Sequence, residues 1–254
     1  MAHAIIEGIL HAKLCAPEEI IASSRNSQTL AQLTQDTGIH AAQDNKQVAQ
    51  DAEFIVLAVK PWDVEAALKS CGKALSHKLL VSVVTGKSAE KLESLSGARV
   101  IRTMPNTGAM VGVSTTALAP GPSATPEDLS QARLVFESVG SVIEIKESLF
   151  DAVVGISGSG PAYIYLIIEA LSDGGVAAGL PRPVALDLAI QTVRGAAIMA
   201  EKSGLHPALL REMITSPGGT TAAALGVLED ASVRAAFIRA VQAAQQRSAE
   251  LGAE

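Results

Sequence analysis

The chain has 254 residues, of which 48% are hydrophobic, and its 20 Lys and Arg against 26 Asp and Glu give a formal net charge of −6. This length can bury a substantial core in one large or two modest domains, and we expect two. The acidic balance provides no general attraction to phosphate backbones, so we expect no nucleic-acid partner.

The cysteines, the histidines and the longest apolar run set further limits. Cys15 and Cys71 have neither metal-ligand spacing nor the density of a disulfide scaffold, which predicts a reducing, cytoplasmic compartment. The histidines are scattered, so we expect neither a metal site nor a Ser-His-Asp triad. The apolar run 163–168 stops at Glu169, well short of the roughly 20 residues of a membrane helix, and we therefore expect no membrane span.

The first part of the sequence, to about residue 145, alternates β-like runs with helical patterns. A helix is predicted almost from Met1, and another from about Pro126, where Thr125 and Asp128 have the spacing of a capping box. Strand candidates occupy residues 20–23, 54–59, 79–84, 100–103, 113–118 and 142–145. This alternation predicts βαβ units and a parallel sheet, which make residues 1–145 a Rossmann-like α/β dinucleotide-binding domain.

After residue 145 the strand pattern ends and alanine-rich helical patterns take over. Helices are predicted over about 160–178, 182–203 and 207–213, with two more from 220 onward. The long helices carry Ala, Leu, Ile and Val on more than one face, which is more apolar surface than an isolated helical layer exposes. Residues 146–254 are therefore predicted to form an all-α domain that dimerises.

Polar residues stand at the ends of the first two predicted strands, where doubly wound sheets bind ligands. In such folds, hydroxyls and Arg after the second strand of the complete sheet accept the 2′-phosphate of NADP, so Ser23, Ser24 and Arg25 favour NADPH. An ordinary polar turn is the alternative. Lys60, after the buried strand 54–59, can reach a cofactor phosphate, although a lysine at a wet strand end is commonplace.

Three later segments carry weaker patterns. Residues 85–88 resemble part of a P-loop, but Val81 stands where that motif requires glycine. Asn106 follows another short strand, and its amide can either bind a carboxamide such as that of nicotinamide or form a turn. Residues 157–161 open a helix with Pro161 in its first turn, which suits close packing against a backbone or a ligand.

The segment 216–221 has the composition of an anion-binding turn. Gly218 and Gly219 permit close approach to the backbone, and the N–H groups that open the following helix are unpaired and partly positive. A carboxylate is the expected ligand. In the alternative interpretation, Ser216 or Thr220 caps the helix and the glycines only turn the chain.

Several segments, taken together and in order, resemble the pyrroline-5-carboxylate reductase family from residue 1 to about 252. The motifs are A-V-K-P (58–61), M-P-N-T (104–107), S-G-S-G-P-A-Y (157–163), G-L-P-R (179–182) and S-P-G-G-T-T (216–221). The resemblance implies NADPH- or NADH-dependent reduction of 1-pyrroline-5-carboxylate to L-proline, the last step of proline synthesis. It also implies a helical domain that interlocks with that of a second subunit, and larger rings of dimers.

The resemblance also implies roles for individual residues. The substrate carboxylate would lie on Ser216, Gly218, Gly219, Thr220 and Thr221, with the Thr221 hydroxyl near the ring nitrogen as a catalytic group. Glu147 would join the hydrogen-bond network near the substrate as a second catalytic residue; a solvated carboxylate at the start of a helix is the alternative. The predicted cofactor-binding residues are Ser23, Ser24, Arg25, Asn45, Ala58, Val59, Lys60, Pro61, Thr85, Gly86 and Asn106.

The N-terminus departs from the family pattern. A hydrophobic strand and a turn like G-x-G-x-M precede the first helix in the family, and Met1 aligns with the end of that turn. We therefore expect the pyrophosphate cradle and a central strand to be absent, either because the true start lies about ten residues upstream or because this form is a poorly functional remnant.

Two alternative functions stay open from the sequence. One is a non-catalytic, dimerising relative that keeps only binding. The other is an NADP-dependent reductase of the β-hydroxyacid dehydrogenase type, which relies on a lysine in its helical domain. Lys202, late in its helix, is the only lysine in the main helical stretch and argues against the second.

Overall fold

The computed structural model describes residues 1–253, which divide into two compact units. The first comprises Met1–Gly158 together with the described residues from Ala243 onward, and the second is Ser159–Gln242. The first unit extends beyond the domain boundary predicted at 145–146. It does so because Phe150 is buried against Met104 of the sheet, which draws the segment after the last strand into the α/β unit.

Seven strands form two sheets in the first unit. The strands are β1 (Ile21–Ala22), β2 (His40–Ala41), β3 (Phe54–Leu57), β4 (Leu79–Ser82), β5 (Arg99–Met104), β6 (Ser114–Pro120) and β7 (Gly140–Glu144). β1 and β2 pair with each other, and β3 to β7 form a five-stranded sheet in chain order. In the described chain no pairing joins β1 to β3.

The predicted parallel sheet has one antiparallel pair, β5 with β6. The connection between these strands, Pro105–Val113, is too short for the crossover that a parallel pair requires. The other pairs, β1–β2, β3–β4, β4–β5 and β6–β7, are parallel.

Helices cover both faces of the larger sheet. They are α1 (Ala2–His11), α2 (Ser27–Thr37), α3 (Asn45–Asp51), α4 (Val64–Cys71), α5 (Ala89–Ser96), α6 (Pro126–Glu137) and the short α7 (Phe150–Val153). Leu80 faces a core that includes Leu92 of α5, whereas Val81 faces one that includes Ile5 of α1 and Phe136 of α6. Burial on both faces explains why the inner strands are apolar without alternation. The capping box predicted at the start of α6 is confirmed.

The second unit is helical, as predicted. It contains α8 (Gly160–Ala177), α9 (Arg182–Ser203), α10 (Pro207–Met213), α11 (Thr220–Asp230) and the start of α12 (Val233–Ala253). α8 and α9 approach each other closely at Gly175 and Ala185. A Cβ atom added at Gly175 would lie only 3.0 Å from the Cβ atom of Ala185. A larger side chain at this position would force the two helices apart.

Much apolar surface of the second unit is exposed. Leu166 of α8 is 63% exposed, and Leu188 of α9 is 51% exposed. The stretches Glu147–Ala177 and Arg182–Ser203 are long and apolar enough to cross a membrane by length and composition, and only 11% of each apolar window is buried. The sequence predicts no such stretch when only uninterrupted apolar runs are counted, and charged residues within both helices interrupt those runs.

Candidate cofactor and substrate sites

The loops after β1 and β3 meet at the carboxyl ends of these strands. The Ser23 hydroxyl donates to Asn45 Oδ1 at 2.7 Å, which ties the first loop to the start of α3. The Arg25 guanidinium donates through both terminal nitrogens to Asp63, with Nη1 at 2.7 Å from Oδ1. The structure therefore brings together Ser23, Arg25 and Asn45 of the predicted cofactor site, and adds Asp63 to them.

Ser70 also belongs to this region, although no sequence pattern predicts it. The Asn45 Nδ2 group donates to Ser70 Oγ at 2.9 Å, and the Ser70 hydroxyl donates to the Ala67 carbonyl at 2.7 Å. These bonds fix which way the Asn45 amide points. No sequence signal identifies Ser70, since it is an ordinary polar residue in a helical pattern 25 positions from its partner.

The other residues predicted beside these loops are arranged more loosely. Ser24 Oγ accepts a 3.2 Å bond from the Asn26 N–H, as expected if it helps to form the turn before α2. Ala58 and Val59 are half-buried at the end of β3. Lys60 is exposed and precedes a short 3-10 helix, Pro61–Asp63.

Thr85 and Gly86 follow β4, as predicted, but lie against a different part of the chain. Gly86 has φ +77°. A Cβ there would stand 3.1 Å from the carbonyl oxygen of Leu251, near the end of α12. One side of Gly86 is thus covered by protein backbone, and only glycine fits without strain.

Asn106 uses its side chain locally. Its Oδ1 accepts from the Gly108 N–H at 2.9 Å, and its Nδ2 donates to Ser157 Oγ at 3.1 Å. Ser157 in turn donates to the Thr115 carbonyl at 3.2 Å. This chain of bonds connects the end of β5 to the π-helix Val154–Gly158, which lies before α8. The turn alternative for Asn106 therefore has direct support, whereas contact with nicotinamide stays a prediction.

Glu147 lies in the first unit and is engaged by two donors. Its Oε1 accepts from the Ala89 N–H, the first of α5, at 2.7 Å and from Arg102 Nη1 at 2.9 Å. The Arg102 side chain is 9% exposed, and its guanidinium carbon stands 4.4 Å from the ring centroid of Phe150. The carboxylate therefore joins a helix start to a buried guanidinium. This arrangement differs from the freely solvated carboxylate of the alternative interpretation.

The turn 216–221 lies in the second unit. The Gly219 N–H donates to the Ser216 carbonyl at 3.0 Å, and Gly218 has φ +69°. A Cβ on Gly219 would stand 2.4 Å from Ser216 Oγ, so glycine is required for the serine hydroxyl to lie where it does. Gly219 is the N-cap of α11, and no side chain caps this helix. The capping alternative for Ser216 and Thr220 is thus not what the structure shows.

The uncapped start of α11 can accept an anion. Thr220 and Thr221 are its first two residues. Within the described chain, the Thr221 hydroxyl has no hydrogen-bond partner, and its residue is half-buried. Free N–H groups and a hydroxyl at a helix start favour a carboxylate ligand.

The donors after β1 fit the phosphate end of NADP. Ser23 is hydrogen-bonded to Asn45, Arg25 follows Ser23 on the same loop, and the chain has no carboxylate directly after β1. This chemistry suits a 2′-phosphate better than ribose hydroxyls alone. Among residues 1–253, no group of three His, Cys, Asp or Glu side chains is placed to hold a metal ion.

Two family models match the chain. Residues 147–251 match the model described as pyrroline-5-carboxylate reductase dimerisation, and residues 1–86 match that described as NADP oxidoreductase coenzyme F420-dependent. The chain is 43% identical to the pyrroline-5-carboxylate reductase of Methanosarcina acetivorans, over 99% of this chain and 94% of the relative. It is also 43% identical to that of Arabidopsis thaliana, over 99% of this chain and 92% of the relative.

Solved structures agree with these sequence matches. A pyrroline-5-carboxylate reductase from Coxiella burnetii is similar with a TM-score of 0.91 and 35% identity, over 98% of this chain and 94% of that one. The Plasmodium falciparum pyrroline carboxylate reductase with NADP bound is similar with a TM-score of 0.89 and 33% identity, over 98% and 93%. The likeness spans both compact units.

Proposed function

The chain belongs to the pyrroline-5-carboxylate reductase family, and we propose that it reduces 1-pyrroline-5-carboxylate to L-proline with NAD(P)H, the final step of proline synthesis. The observation that carries this proposal beyond the family match is the uncapped start of α11, where the Ser216 hydroxyl and two glycines adjoin free N–H groups. The bound cofactor supplies the hydride that adds to the carbon of the C=N bond. The protein must hold, orient and polarise the substrate.

The turn 216–221 holds the substrate carboxylate in this proposal. The N–H groups of Thr220 and Thr221 open α11, and the positive end of the helix dipole favours a negative ligand. Gly218 and Gly219 leave the backbone uncovered, and Ser216 adds a hydroxyl donor. A carboxylate fixed at two oxygens sets the orientation of the attached ring, which is the main requirement for hydride transfer.

Thr221 is the residue that we propose to contact the reacting C=N group. Its hydroxyl, which has no partner within residues 1–253, can accept a hydrogen bond from the ring nitrogen once that nitrogen has taken a proton from water. Hydride addition to the carbon of this protonated imine then gives the secondary amine of L-proline. No strong acid–base pair is required for this step, because the protonated imine is already electrophilic.

Glu147 has a different role in this proposal from the catalytic one predicted from the sequence. Its carboxylate oxygen already accepts from Arg102 and from the first N–H of α5. We therefore assign it as a positioning residue that holds the start of α5 against β5. Its influence on turnover is expected to pass through this packing and not through contact with substrate.

The cofactor site in this proposal includes the loops after β1 and β3. Ser23, Arg25 and Asn45 supply the donors for a 2′-phosphate, and Lys60 adds a positive charge at the end of β3. The remaining predicted contacts are Ser24, Ala58, Val59, Pro61, Thr85, Gly86 and Asn106. NADPH is the preferred cofactor in this proposal because no acidic residue directly follows β1.

The exposed apolar helices of the second unit form a homo-oligomer interface, in line with the dimerisation model that matches them. We propose that this surface faces a second subunit and not lipid, since Glu169 and Asp173 interrupt α8 while Asp187 and Arg194 interrupt α9. A cytoplasmic protein that assembles rings of dimers is the corresponding proposal for location and size.

The Thr221→Ala variant tests the substrate site. Loss of the hydroxyl is expected to lower kcat by about 100-fold, the scale of removing one well-placed donor, with the KM for NADPH unchanged. Thr215→Ala is the matched control, because the Thr215 hydroxyl points away to donate to the Arg211 carbonyl. Equal kcat in Thr221→Ala and wild type would remove Thr221 from the mechanism.

A further inference from the structure

Trp62 is the single tryptophan of the chain and is largely uncovered. It is 78% exposed, in the middle of the 3-10 helix Pro61–Asp63 that follows β3. An indole is the largest aromatic surface a protein can offer, and it is stabilised when a flat ligand or a packed neighbour covers it. Most of the Trp62 surface is therefore uncovered, and its ring is available to a ligand beside the loop that follows β3.

The residue after Trp62 fixes a cation beside it. The Asp63 side chain is 14% exposed and accepts hydrogen bonds from both terminal nitrogens of Arg25. The Arg25 side chain is itself 79% exposed. A guanidinium has five N–H donors, and this pairing occupies two of them. Three donors remain for another ligand, and the aspartate restrains the arginine on the loop that follows β1.

Trp62 and Asp63 thus stand after β3, Asp63 holds Arg25 of the loop after β1, and Ser23 of that same loop is bonded to Asn45 at the start of α3. A flat ring beside donors for a dianion matches one chemical class of ligand, an adenine nucleotide with a phosphate on its ribose. Bases stack on indole faces, and Arg binds phosphate through several N–H groups at once.

We propose that Trp62 is a specificity-determining residue of the cofactor site, whose indole stacks on the adenine while Arg25, restrained by Asp63, binds the 2′-phosphate of the same nucleotide. This inference rests on the proposed function, in which the loop after β1 binds NADPH. In this proposal Trp62 contributes affinity for the adenine ring, and Arg25 discriminates between NADPH and NADH.

Fluorescence of the only tryptophan provides a direct readout that does not depend on turnover. The probes are 2′,5′-ADP, which has adenine and a 2′-phosphate but no nicotinamide, and 5′-ADP, which lacks the 2′-phosphate. Neither absorbs where tryptophan emits, so a change in emission reports what happens at Trp62. We expect a saturable change with both probes and at least a 10-fold lower Kd for 2′,5′-ADP.

Variants separate the two contributions. Arg25→Gln should keep the emission change but bring the two Kd values within about threefold of each other. Trp62→Leu, followed by calorimetry, should weaken both probes by a similar factor of about 5 to 50, the range of base–aromatic stacking. Trp62→Phe should recover part of this loss. Leu134→Ala, which alters an exposed apolar side chain on α6, is the control and should bind like wild type.

Two results would overturn the inference while leaving the proposed function intact. One is 2′,5′-ADP binding seen by calorimetry with no change in tryptophan emission. The other is wild-type affinity for both probes in Trp62→Leu. A folded wild-type protein that binds neither NADPH nor 2′,5′-ADP in calorimetry would instead overturn the proposed function, and this inference with it.

Discussion

Replacement of Glu147 by Gln removes a negative charge from a buried contact without changing the shape of the side chain. Glu147 Oε1 is 2.9 Å from Arg102 Nη1, and within the described chain the buried Nε of Arg102 has no hydrogen-bond partner. Glu147 is therefore the main partner that offsets the cost of burying the positive charge of Arg102, whose side chain is 9% exposed. The positive charge would stay buried in the variant, because Phe150 covers it.

The expected cost follows from the burial of the two partners. Breaking a fully buried ion pair costs about 3–5 kcal/mol. The Glu147 side chain is 30% exposed, so water recovers part of this cost. Both hydrogen bonds end on Oε1, and the Gln carbonyl oxygen can still accept them, although without the negative charge. We therefore expect a loss of about 2 kcal/mol, which corresponds to a fall in Tm of about 4–8 °C for a unit of this size.

Thermal unfolding and steady-state kinetics together measure this prediction. Glu144→Gln is the matched control, since Glu144 pairs with Arg133 at 3.5 Å with both side chains at least 36% exposed, and such surface pairs contribute little. Well below the Tm, Glu147→Gln should retain kcat within about threefold of wild type, because only packing has changed. An unchanged Tm with a 100-fold lower kcat would refute this reasoning and show that Glu147 takes part in catalysis.

Two further predictions concern stability and cofactor affinity. The Arg99 hydrogen bond lowers the pKa of Asp128 from 3.8 to about 2, so Asp128 contributes about 2 kcal/mol of stability above pH 4, and this is lost as the pH falls from about 4 to 2. Asp128→Asn should remove most of this loss of stability at low pH in unfolding experiments. Glu229→Gln breaks an ion pair whose two side chains are more than half exposed and should change it little. Ser70→Ala should raise the Kd for NADPH several-fold in calorimetry by releasing the Asn45 amide, and an unchanged Kd would show that Ser70 does not orient it.

The sequence predicted the elements of the fold better than their pairing. Apolar runs marked β3 to β6, and the capping box marked α6, because these signals are local. The direction of β6 is not local, although the short connection Pro105–Val113 already disfavours a crossover. The two-residue strand β2 (His40–Ala41) was missed because it is too short and polar to give a periodic signal.

The turn at 216–221 was predictable, because the glycines and hydroxyls that form it are close in sequence, and its role in binding substrate stays a prediction. The candidate site was not predictable where function depends on distant partners. Arg25 meets Asp63 across 38 positions, and Glu147 meets Arg102 across 45. Neither partner has a sequence signal, since ion pairs of this kind form only once the sheet has placed their strands side by side.

The most direct test of the proposed function is NADPH oxidation by the purified protein supplied with 1-pyrroline-5-carboxylate, with L-proline measured in the same samples. The account predicts saturable oxidation that requires the substrate and yields one L-proline for each NADPH consumed. A folded protein that binds NADPH but forms no L-proline would contradict the account.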